Sequence, residues 1–144
     1  MRDATPFAAH HVAAARADFA AQVRSYRDLV AAASKASGMS LVRIDAALAA
    51  FEPGYFNSLL VALDARFAQR PRSVDGEPGP LAEVRLLVAS LTARGGVLAA
   101  DAAIAYDPAG SVLRIDLGDR IALNADDFEA IAAAFLAEIE RRCP

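Results

Sequence analysis

A chain of 144 residues with a formal charge of −3 has the length of one ordinary domain, which hides roughly two-thirds of its open-chain surface on folding. Hydrophobic residues at 56% exclude a disordered chain, and the slight acidity argues against a nucleic-acid partner, which calls for a basic face able to neutralise phosphates. No apolar run reaches the ~20 residues of a membrane span, and the sole cysteine, Cys143, allows no internal disulfide, so the expectation is a soluble cytoplasmic protein with no membrane partner.

The two halves differ in charge. Residues 1–72 hold 9 basic and 6 acidic side chains, residues 73–144 hold 6 and 12. Opposite signs favour packing of one half on the other or mating between subunits, although exposed charges a Debye length apart are largely screened.

Thr5 followed by Pro6 fits an N-cap and first helical position, and with Asp3 it reads as a helix start rather than a leader peptide. Ala8, Val12, Ala15, Phe19, Val23, Tyr26, Val30 and Ala33 then step by three or four, and Lys35 and Gly38 supply a C-terminal cation and a left-handed stop. The spacing predicts a helix over about 6–36, some thirty residues spanning roughly 45 Å. That is longer than a compact domain of this mass requires. Such a helix either lies along a bundle within the chain or pairs with a second copy, in which case Val12, Phe19, Val23 and Tyr26 form the interface.

Ser40 is a candidate N-cap for a helix over about 40–51, with Met39 and Ile44 at staple positions and Leu41, Ile44, Leu48 and Phe51 on the apolar face. It is expected to end at Glu52-Pro53-Gly54, because a residue before proline is pushed out of the helical region. The next helix, about 54–70, carries Phe56, Leu59, Leu60, Leu63 and Phe67 on one stripe and Asn57, Asp64, Arg66 and Arg70 opposite, the pattern of a core helix. The Pro- and Gly-rich run from Pro71 to Pro80 is a surface loop. Leu81, Val84, Leu87, Val88 and Leu91 mark a helix over about 80–94, opened by Pro80 and closed by Arg94-Gly95-Gly96.

The period then changes. Ile104 and Tyr106 lead into Asp107-Pro108-Ala109-Gly110, a type I turn signature, and Leu113, Ile115 and Leu117 alternate with Arg114 and Asp116. Gly118-Asp119 is a hairpin signal, after which Ile121 and Leu123 resume the alternation. Residues 97–103 fit a strand, a turn or a helix extension equally. Asn124 caps a last helix over 125–142, with Asp126 and Asp127 in its first turn, Leu123 and Phe128 at staple positions, and Phe128, Ile131, Phe135, Leu136 and Ile139 on its buried stripe. The expected fold is therefore a single α+β domain spanning 1–144. It is mostly helical, with a small three-stranded antiparallel meander near residues 102–123 and a C-terminal helix.

Little in this chain carries reactive chemistry. His10 and His11 are neighbours on a helix and point about 100° apart, so they cannot clasp one metal ion. Cys143 stands one residue from the terminus, without a fixed neighbour to activate it. No nucleophile-elbow sequence and no Gly-rich loop between a strand and a helix is present, so neither a nucleotide cofactor nor a metal is expected. The pairs Asp126/Asp127 and Glu138/Glu140 read as helix capping and a solvated face.

One cluster is less ordinary. Arg66, Arg70 and Arg72 run off the core helix into the loop that opens the helix at Pro80, and guanidinium groups beside a helix N-terminus favour anions. Tyr55 and Asn57 join them only if the fold brings them round, and Asp75, Glu77 and Glu83 are close enough in sequence to pair with the arginines instead.

Phe56-Asn57, Leu63-Asp64-Ala65-Arg66-Phe67, Arg70, and Gly76 through Leu81-Ala82-Glu83-Val84-Arg85 form a run similar to a pattern in a set of uncharacterised bacterial proteins. The Gly118-Asp119 turn and the helix from Asp127-Phe128 to Glu138-Ile139-Glu140 resemble the C-terminal part of the same set. The resemblance covers about the last two-thirds of the chain and implies a bacterial protein of a discrete family, with no activity and no site residue to carry over.

The function expected on these grounds is that of a non-enzymatic domain acting by self-association as a homodimer, and through contacts with another protein. The alternative is a binding protein for a small anionic ligand, or an enzyme, with its site near Arg66, Arg70 and Arg72. A helix-turn-helix reading of Ser40 to Arg70 is weakened by the Pro-Gly turn and a mostly apolar second helix.

Overall fold

Wherever apolar residues recur every three or four positions the chain winds into a helix. In the computed structural model, which describes residues 7–142, four helices carry the architecture: α1 (Ala9–Ala33), α2 (Gly38–Arg66), α3 (Pro80–Ala93) and α4 (Ala125–Arg142). Short 3-10 turns occupy Arg72–Gly76 and Pro108–Gly110. The expected Thr5-Pro6 cap and Cys143 lie outside the described residues.

The helices expected at 40–51 and 54–70 are one continuous helix with Pro53 inside it. It opens after Ser37 rather than at Ser40 and closes at Arg66, with Gly38 at a left-handed φ of +63° completing the join from α1. An interior proline forfeits a backbone hydrogen bond and costs about 3 kcal/mol. Packing on both sides of it outweighs that cost. Phe56 stands edge-on to Tyr26 at 4.9 Å and lies 5.9 Å from Phe128, and Glu52 accepts the Ala125 backbone N–H at 3.2 Å. A break at Pro53 would swing these groups apart.

The meander is absent. Among the described residues there is no β-strand, and residues 97–124 form only the isolated bridges Val97–Arg120 and Asp101–Ile104. The fold is all-helical, not α+β. The alternating apolar residues do turn inward in part, Ile121 and Leu123 being buried, but the backbone groups that a ladder would satisfy are taken by side chains of the helices and of the segment itself. Glu83 on α3 accepts from Val112 and Leu113 N–H at 2.8 and 3.0 Å. Asn57 on α2 donates to Ile121 C=O and accepts from Leu123 N–H, Ser90 accepts from Ala99 N–H at 3.1 Å, and the Tyr106 hydroxyl donates to Ile115 C=O. The Gly118 turn exists, at φ +93°, closed by Asp119 N–H to Asp116 C=O, yet beyond that bond it pairs with residues 96–98 through Leu98 N–H to Asp119 C=O and Ile121 N–H to Gly96 C=O, not with 113–115.

The core lies between α2, α3 and α4, where Phe56, Leu60, Leu63, Phe67, Leu81, Leu87, Phe128, Ile131 and Phe135 are fully enclosed. The first part of α1 closes it from one side. The α4 start has reciprocal caps, Asn124 accepting from Asp127 N–H at 2.8 Å while Asp127 accepts from Asn124 N–H at 3.2 Å, which satisfies two donors a helix start leaves over.

Candidate functional site

Burial ends abruptly along α1 and α2. Tyr26 is the last buried residue of α1 and Phe56 the first of α2, and none of residues 27–55 between them is buried. This stretch is a helical arm reaching beyond the core, and its α2 portion, Gly38 to Glu52, is about 22 Å long at 1.5 Å per residue. It is not polar. Met39 is 67% exposed, Val42 61%, Leu29 52% and Phe51 51%, with Leu41, Ile44 and Leu48 half-buried. A helix apolar on more than one face is normally enclosed. By length and composition α2 is also apolar enough to cross a membrane, but Phe56, Leu60 and Leu63 in its second half are closed inside the protein.

The root of the arm is an aromatic knot. Tyr55 stacks on Tyr26 at 6.0 Å and on Phe51 at 5.2 Å, and its hydroxyl donates to Gln22 Oε1 at 2.6 Å. Burial, and then the neighbouring Glu52 carboxylate, push the Tyr26 phenol above its ordinary pKa. The knot fixes where the arm leaves the core.

The four residues expected at a dimer seam are occupied inside the chain. Val12, Phe19, Val23 and Tyr26 are 7% exposed or less, and Phe19 lies 5.8 Å from Phe128. They have almost no surface left for a second copy.

The three arginines do not converge. Arg66 pairs with Asp18 at 2.7 Å and lies over the Phe19 ring. Arg70 is buried, pairs with Asp64 at 2.6 Å, donates to Phe67 C=O and lies 5.0 Å over Phe135. Desolvation lowers its pKa, opposed by Asp64. Arg72 is exposed at the start of the 3-10 turn. Neither the α1/α4 groove, nor the cleft beside Glu83, nor that at Gly54 is lined by any of them. Tyr55 is in the knot and Asn57 holds residues 121–123.

Other polar groups are largely paired as well, although Arg70 Nε, Asp75 Oδ1 and Arg85 Nη2 are buried without a hydrogen-bond partner. Asp75 and Arg85 meet at 2.6 Å, though Arg85 Nε is out of line for a hydrogen bond, and His11 Nε2 contacts Arg66 C=O at 3.1 Å. Among the described residues no group of histidine, cysteine and carboxylate side chains is placed to hold a metal. A groove of about 150 Å³ between α1 and α4 is lined mainly by Phe19, Ala20, Val23, Phe128, Ala132 and Leu136, with ion pairs of Arg16 to Glu140 and of Arg27 to Glu129 near its ends.

The arm's exposed stripe had a sequence signal that the expected break at Pro53 concealed. Met39, Val42, Ala46, Ala49, Pro53, Phe56, Leu60, Leu63 and Phe67 follow the alternating three-and-four spacing of a heptad seam without interruption. Compared with protein-family models, with curated proteins and with solved structures, the chain matches none.

Proposed function

We propose that this chain works by self-association, with residues 27–55 as the contact surface. The observation that carries the reading is a two-helix arm with no buried residue and several large exposed apolar side chains. Monomers rarely leave so extended an apolar surface to water, and such patches mark interaction sites. The core supplies a rigid base, and the aromatic knot supplies the pre-set angle that lets an arm dock with little further ordering.

Light scattering after gel filtration at tens of micromolar tests the reading. The expected particle has twice the 15.1 kDa mass of the chain, and Val42→Glu reduces it to a monomer with unchanged far-UV circular dichroism. A 15.1 kDa particle for the unaltered chain, or a Val42→Glu dimer, would count against it.

A further inference from the structure

We draw no further inference here: the strongest candidate, the apolar groove between α1 and α4 floored by Phe19, Val23, Phe128 and Leu136, carries none, because nothing in the structure shows what covers it.

Discussion

Replacing Pro53 and Gly54 by alanine should stabilise this protein, although the two residues read in sequence as a helix stop. Both lie inside α2. A Cβ added at Gly54 meets nothing within 4 Å, so Gly54→Ala gains the helix-propensity difference of about 1 kcal/mol. Pro53→Ala restores the N–H that can bond to Ala49 C=O and removes a steric clash, together about 3 kcal/mol. Against this stand about 1 kcal/mol for the freer unfolded chain and about 1 kcal/mol for lost contacts of a half-buried ring. The net gain is about 1 kcal/mol for each change and about 2 kcal/mol for the pair. For a chain of this length that raises Tm by about 6 °C. Urea titration with an unchanged m-value is the cleaner measure, since a rise in midpoint then reports stability alone. If the chain instead turned at Pro53-Gly54, Gly54→Ala would strain the turn and both variants would unfold at lower urea. That result would remove the continuous helix and the seam drawn along it.

Three further outcomes follow from buried groups. Phe19→Glu places a carboxylate against Phe128 with no partner and should cost about 4 kcal/mol or more, abolishing the helical circular dichroism; a folded monomer would show that Phe19 belongs to a subunit seam after all. Arg70→Ala leaves Asp64 without its cation and opens a cavity, an expected loss of about 3 kcal/mol in urea titration, whereas the joint change Arg70→Met with Asp64→Leu should recover most of it. Burial raises the Glu83 pKa, opposed by the N–H groups of Leu113 and Val112, so the folded state holds that proton more tightly than the unfolded chain. Stability from this group is present below the unfolded value and declines as pH rises through the raised one. Melting curves should therefore show the unaltered chain losing ground to Glu83→Gln between those limits, and an identical pH profile for the two would refute the assignment.

Local signals were legible where a helix carries its own punctuation. Pro80 opens α3 and Asn124 with Asp127 caps α4, because capping depends on residues three apart in sequence. The region 102–123 was not legible for the opposite reason. Alternation of Leu113, Ile115 and Leu117 reports which side chains seek cover, and a strand and an irregular covering segment satisfy it equally. The difference lies in what answers the backbone groups, and here that is Glu83 and Asn57, 29 to 66 residues away in the chain. Glu83 read as one more partner for the arginines. The arm was hidden by a local rule that usually holds, since proline does end most helices. Its exposed stripe became visible only once Met39 and Leu63 were known to share one axis.

A sheet frays from its edges because each rung leans on the next, but the covering segment here hangs from separate pegs. Glu83, Asn57, Ser90 and Tyr106 each hold one or two backbone groups, so losing one peg loosens its own few amides and leaves the others in place. Hydrogen exchange in such a segment would proceed in patches, each patch named by the side chain that guards it.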